Sequence, residues 1–372
     1  MTSTNGASPA HHETLLRRSP NADSERVLVV GAGPIGAVLA SAMLAAGHRV
    51  VTLTTNPAIA RALREHGFRL SGSTVHAHVP AGDVVTELAP GGEPFDVVFL
   101  ATQPTQVEDA ARTVLPALTP HATVVCLQNG LCEDRVARIV GRQRVVGAVV
   151  AWGASMIEPG RYERTSEGGF TVGALDGSAG EQGLERVAEL LAAVGPVART
   201  TNLIGARFSK LAINCAISTL GTIGGNRVGA LLKYAFVRRL ALEIMSEAAF
   251  AARAEGVRLE KIAGTIDLDW LALSPADADR RGRGPAGLAL RHAVLVAAGF
   301  RYRRLRSSML AAIERGRPPA VDFLNGEIVE RGDRHGMATP INRAARDVVW
   351  QIARGERQPS LATLRDLFDT TR

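Results

Sequence analysis

The chain is poor in cysteine. It carries three thiols, Cys126, Cys132 and Cys215, in 372 residues. Cysteines in that number and spacing build neither a disulfide framework nor a zinc site, and they point to a reducing compartment. Cys126 and Cys215 sit in apolar stretches and read as small core residues rather than nucleophiles. Long apolar runs are also missing. Gly, Asn or Arg breaks each candidate before it reaches the roughly 20 residues of a membrane span, so no membrane segment is expected. Residues 1–25 contain Ser, Asn, Pro and His, with Arg17 and Arg18 but no apolar stretch behind them. That pattern argues against a secretory signal and for a disordered tail, and a cytoplasmic protein is expected. Aromatic residues are scarce, at 4%, and do not interleave with basic ones. The formal net charge of +7 therefore lacks the pattern of a nucleic-acid module. The charge comes from arginine, including eight residues between Arg280 and Arg306. Most of these are expected to coat a solvated helical face, with 280–284 as a mobile loop. Their field would also attract anions such as a phosphorylated cofactor or a carboxylate.

What is present fits a globular protein: 46% apolar and 21% charged residues, in a chain long enough for two domains. The organising stretch begins with Val27, Leu28, Val29 and Val30, a run of branched apolar residues that predicts a buried strand. Gly31, Gly33 and Gly36 follow in G-x-G-x-x-G spacing, with Pro34 and Ile35 between the last two. An alanine-rich helix comes next and Gly47 stops it. Each glycine has a task. Gly31 makes the tight turn, Gly33 lets a pyrophosphate approach the backbone, and Gly36 allows close packing of helix on strand. The motif gains weight from its strand-turn-helix context, and it predicts a dinucleotide cofactor.

The second strand, 49–54, ends in Thr54, Thr55 and Asn56, where an acid would bind a ribose hydroxyl and repel a 2′-phosphate. Hydroxyl and amide groups there, with Arg61 or Arg64 further on, favour NADPH over NADH. Short β-like runs follow at 66–70 and 74–79. Buried strands are expected at 95–101, 122–127 and 144–151, and outer strands at 170–173 and 197–201 around a helix at 181–194. Such alternation predicts an α/β fold with a parallel sheet and ligands at the carboxyl ends of its strands. Gln103 and Asn129 lie on those ends, and Asn129 can bond both cofactor and substrate. Its other reading is a plain turn residue before Gly130.

Beyond 204 the periodicity is almost purely helical. The expected organisation is a tail at 1–25, a Rossmann-type NADP-binding domain at 26–203 and an all-helical substrate and catalytic domain at 204–372. In the first helix of that second part, Lys210, Asn214 and Ser218 are spaced four apart. At about 3.6 residues per turn they form one polar stripe on an apolar helix. Such a stripe is costly to bury unless it faces a wet cleft. Lysine, amide and hydroxyl together suit the binding and protonation of an anionic carbonyl compound. Further on, Ser307 and Ser308 precede Met309. They could hold a carboxylate or cap a helix.

These segments together resemble the ketopantoate reductase (2-dehydropantoate 2-reductase) family from about residue 26 to about 355. The resemblance implies a Rossmann domain, a helical domain, and hydride transfer from NADPH to a 2-oxo acid, as in pantothenate biosynthesis or in a close paralogue. By motif it implies that Lys210 is the catalytic lysine. It makes Asn214 and Ser308 substrate ligands, and it places Ser218 where the family has a second asparagine. Asn129 matches the asparagine of the family's Asn-Gly turn. Two positions differ: Gln103 stands where the family usually has lysine, and Ala320 where it usually has glutamate. Alanine cannot accept a hydrogen bond from a substrate hydroxyl, so specificity is relaxed or redirected. A reductase of a different oxo acid or of an imine, and a non-catalytic NADP-binding regulator, stay open at this point. No metal site is expected. The apolar run 288–300 leaves packing within the helical part and packing across a homodimer both open.

Overall fold

The computed structural model describes residues 25–72, 77–177, 181–261, 267–273, 286–301, 303 and 305–371. The tail expected at 1–25, apart from Glu25, and the loop expected at 280–284 lie outside the described residues.

Val27–Val30 are almost completely buried, as a central parallel strand with helices on both faces must be. They belong to β1 (Arg26–Val30). It pairs in parallel with β2 (Arg49–Leu53) on one side and β6 (Phe95–Leu100) on the other. β5 (Asp83–Val85) extends the β2 edge. β7 (Leu118–Cys126) and β8 (Val145–Val150) extend the β6 side, also in parallel. β11 (Phe170–Ala174) then runs antiparallel to β8, and β12 (Val197–Arg199) closes the eight-stranded sheet. The all-parallel expectation therefore holds for six strands and is corrected at β11. The chain from β8 returns through two further strands rather than a crossover helix, and reverses direction on the way.

Those two strands, β9 (Ala154–Glu158) and β10 (Arg161–Arg164), had no counterpart in the sequence reading. They are short and mostly exposed, and they carry Ser155, Glu158, Arg161 and Glu163, so their apolar signal is weak. With β3 (Phe68–Gly72) and β4 (Ala77–Val79) they form a second, four-stranded sheet. Helix α1 (Pro34–Ala45) shares one core with both sheets, which explains why it is apolar nearly all round. Tyr162 of β10 is fully buried there, and its hydroxyl donates to the carbonyl of Ala32 at 2.9 Å, inside the glycine turn.

Helices α2 (Pro57–His66), α3 (Val107–Val114) and α4 (Glu133–Val140) complete the crossovers of the main sheet. The strand β7 begins at Leu118, well before the expected 122, while α5 (Glu181–Ala192) ends slightly early, within ordinary end effects. From Leu203 the chain is helical. α6 (Leu203–Ile223), α7 (Val228–Leu231) and α8 (Ala235–Ala254) pack around a separate core with the six later helices among the described residues. All three cysteines are buried, and burial pushes the Cys132 thiol up to about 12. No described helix is long and apolar enough to cross a membrane.

Tyr162→Phe leaves the Ala32 carbonyl buried without its donor. We expect a loss of about 1–3 kcal/mol in urea unfolding.

Candidate functional site

Gly31 has φ +100°, which a side chain would strain, and a Cβ there would lie 3.0 Å from the Ala101 carbonyl oxygen. A Cβ on Gly36 would overlap the Gly31 carbonyl. Gly33 is different: nothing lies within 4 Å of where its Cβ would be, so the turn leaves open space at its middle glycine. Pro34 takes the first helical position, and the first turn of α1, with Ile35 and Gly36, holds no acid. Open space and free amides at a helix N-terminus fit a pyrophosphate.

At the end of β2, Thr54 is buried and Thr55 is exposed. Asn56 has a structural task as well. Its side-chain oxygen accepts from the amides of Ala58 and Ile59 at 3.0 and 3.2 Å, so it caps α2 and that oxygen is engaged. Arg64 is turned back onto the Val84 carbonyl, at 3.0 and 2.9 Å. Arg61 is exposed and has no partner among the described residues.

The carboxyl edge of the sheet is tied together by Gln128. Its amide nitrogen donates to the carbonyls of Leu100 at 2.8 Å and Thr102 at 3.3 Å, bridging the ends of β7 and β6. Gln103 is exposed beside this bridge and Asn129 is exposed just beyond it. Gly130, with φ +99°, lets the Asn129 turn press against the Phe323 backbone, where a Cβ would lie 2.6 Å from its carbonyl oxygen.

Helix α6 reaches this edge through Arg207. The guanidinium is 2% exposed, as is the carboxylate of Glu133 with which it pairs. It also donates to the carbonyls of Gln128 at 2.9 Å and Cys126 at 2.6 Å. Burial pushes the Glu133 carboxyl up, against the pull of Arg207. Arg207 is a residue that the sequence analysis does not single out. Its one sequence signal is a charge amid apolar helix residues, and the partners lie on distant elements.

Lys210, Asn214 and Ser218 follow on α6, all half-buried. Burial, helped by the nearby Arg207 guanidinium, lowers the Lys210 ammonium from the ordinary lysine value. No carboxylate among the described residues pairs with it. The Asn214 side-chain nitrogen is buried without a hydrogen-bond partner among the described residues. Buried polar groups left open in this way mark a place where a ligand can complete them. The two serines divide the roles left open above. Ser307 caps helix Ser308–Ile313 by accepting from Leu310 at 3.3 Å, and it donates to the Ser218 carbonyl at 2.8 Å. Ser308 stays exposed. Ala320 opens a short helical turn, Ala320–Phe323, against the Asn129 loop. In that turn the Asp322 carboxylate accepts from Arg346 at 2.5 Å and Trp350 at 3.2 Å. No group of three or more metal-ligating side chains occurs among the described residues.

The sheet, the glycine turn and the lysine helix that Arg207 fastens to the sheet edge are the parts of a dinucleotide-dependent reductase. The family models match in the same two parts: ketopantoate reductase PanE/ApbA over residues 27–177, and its C-terminal counterpart over 202–353. This chain belongs to the ketopantoate reductase family. It is 28% identical over 320 residues to the 2-dehydropantoate 2-reductase of Mycobacterium tuberculosis (strain ATCC 25618 / H37Rv), covering 85% of this chain and 94% of that protein. The crystal structure of a PanE/ApbA family ketopantoate reductase from Ralstonia eutropha JMP134 superposes with TM-score 0.72 at 27% identity. The match covers 90% of this chain and 100% of that one. A D-mandelate dehydrogenase bound to NADH and anilino(oxo)acetate shares the fold, with TM-score 0.71 at 19% identity over 92% of this chain and 99% of that one.

Arg207→Ala strands the Glu133 carboxylate in the interior. We expect a cost of about 3–5 kcal/mol in denaturant unfolding, and a smaller one for the double change Arg207→Met with Glu133→Met.

Proposed function

We propose that this protein is an NADPH-dependent reductase that converts a 2-oxo acid to a 2-hydroxy acid, with 2-dehydropantoate or a close analogue as its substrate. The observation that carries the reading is Lys210: a half-buried cation, unpaired among the described residues, on a helix fastened to the carboxyl edge of a dinucleotide sheet. A bound nicotinamide would supply the hydride. The chain has to supply binding, orientation and a proton. Lys210 holds that proton at Nζ and gives it to the substrate's carbonyl oxygen, and its lowered pKa eases the transfer. The open amide of Asn214, with Ser218 and Ser308, grips the carboxylate. Asn129 aligns substrate and cofactor from the turn after β7.

NADPH is favoured by the absence of an acid at Thr54–Thr55–Asn56 and by the unpartnered Arg61 in the second turn of α2. One observation supports a substrate other than 2-dehydropantoate. The Ala320–Phe323 turn has a single carboxylate, Asp322, and it is engaged with Arg346 and Trp350. Both bonds fall on its Oδ1, and a substrate hydroxyl directed at Ala320 finds no acceptor side chain there.

Lys210→Ala is expected to lower kcat for 2-oxo acid reduction by about a hundredfold to ten-thousandfold, with NADPH affinity by fluorescence titration unchanged. Retained turnover would remove Lys210 from the mechanism. Because the acid must be protonated, the rate falls as pH rises through the Lys210 pKa, so the alkaline limb should lie below the ordinary lysine range. In parallel assays NADPH should exceed NADH in kcat/KM, and Arg61→Ala should narrow the ratio. Equal use of both cofactors in the unaltered protein would contradict the NADPH assignment.

A further inference from the structure

The helical half contains a cavity of about 50 Å³ between α6, α7, α8 and helix Ala286–Arg301. Its walls include Ile213, Ile217, Gly221, Val228, Ala241 and Leu295, and every lining side chain is apolar. We propose that this cavity receives the hydrocarbon tail of the substrate, which is therefore a 2-oxo acid with an apolar, unhydroxylated side chain. The inference rests on the reductase reading and narrows it.

Three features join the cavity to the polar stripe. Ile213 and Ile217 are the immediate neighbours of Asn214 and Ser218, and like them are half-buried rather than sealed in the core. Gly221 lies eleven residues beyond Lys210, which is about three helical turns, so it returns to the same line of α6. That line therefore carries the lysine at one end and a cavity wall with no side chain at the other. Finally, the neighbouring hydroxyl is already engaged. A Cβ on Gly221 would lie 3.1 Å from Ser307 Cβ. Ser307 Oγ bonds with Thr222 Oγ1 at 2.8 Å and the Ser218 carbonyl at 2.8 Å, and it accepts from Leu310 at 3.3 Å. A substrate hydroxyl entering this space loses its water and meets no partner, whereas a methyl group gains contact with apolar walls. Polar groups that fix one end of a ligand beside an apolar recess for the other is the usual division of a small-molecule site.

The test is NADPH oxidation by the full chain with pyruvate, the 2-oxo acid of leucine, ketopantoate, and trimethylpyruvate, which is ketopantoate without its hydroxyl. Trimethylpyruvate should exceed ketopantoate in kcat/KM by about tenfold or more. Ala241→Leu, which fills the recess, should lower kcat/KM for the leucine-derived acid by about tenfold or more and leave pyruvate within about twofold. Ala298→Leu on the opposite wall is the second variant, and thermal melting of both separates lost binding from lost folding. Preference for ketopantoate, or equal losses on pyruvate and the longer acid in stably folded variants, would overturn this inference alone. No turnover of any member by the unaltered protein would overturn the reductase reading, and this inference with it.

Discussion

Arg207 carries a positive charge into a place that water scarcely reaches, and much of the molecule is arranged so that it can. A buried guanidinium is tolerable only when a counter-charge and enough acceptors surround it. Glu133 at the start of α4 supplies the charge, and the carbonyls of Cys126 and Gln128 at the end of β7 supply acceptors. The same Gln128 reaches across to Leu100 and Thr102. Would-be Cβ positions at Gly31 and Gly36 touch Ala101. One continuous set of contacts thus runs from the glycine turn, along the carboxyl edge of the sheet, to the first turns of α6. Lys210 sits one turn beyond Arg207, so the clamp fixes its place; burial lowers its pKa and the nearby guanidinium adds to that.

Other contacts hold α6 and the helical half from other sides. Thr219, adjacent to Ser218 in the chain, donates to Asn325 at 2.5 Å, and Asn325 donates to Asn342 at 2.9 Å. Asn342 in turn donates to Glu247 at 2.7 Å, and the Glu247 carboxylate also takes the amides of Ile341 and Asn342 at the start of helix Pro340–Ala353. A row of charges links the two halves: Glu255, Arg331, Glu327, Arg135 and Glu108, each paired with the next. The buried polar groups of these networks are largely satisfied. The open ones at the sheet edge and on the stripe include Gln128 Oε1 and Asn214 Nδ2. A rigid frame around a few unsatisfied groups is the economy expected of a binding site, since flexibility there would have to be lost again on binding.

Much of the fold was legible because its signals are local. A four-residue branched run, three glycines at fixed spacing and an alanine-rich helix need no distant partner to be read. The stripe of Lys210, Asn214 and Ser218 was legible for the same reason, since a helical period places them on one face wherever the helix goes. Strands β9 and β10 were not legible. Their apolar content is low, and they exist as strands because β3 and α1 offer an edge and a cover. The capping of α2 by the Asn56 oxygen was not read from the sequence, because the same residue type at a strand end also suits a cofactor contact.

By itself the sequence determined the dinucleotide turn, the central strands of the main sheet, the change to helices near residue 203 and the spacing of the polar stripe. Each of these depends on chain geometry over a few residues. Only the tertiary structure decided which of many arginines anchors the lysine helix, which of two adjacent serines is a cap, where Asp322 directs its charge, and that Ile213, Ile217 and Gly221 of the same helix line an apolar cavity. Those outcomes depend on burial and on partners far away in the chain, and desolvation acts on the folded surface rather than on the local pattern.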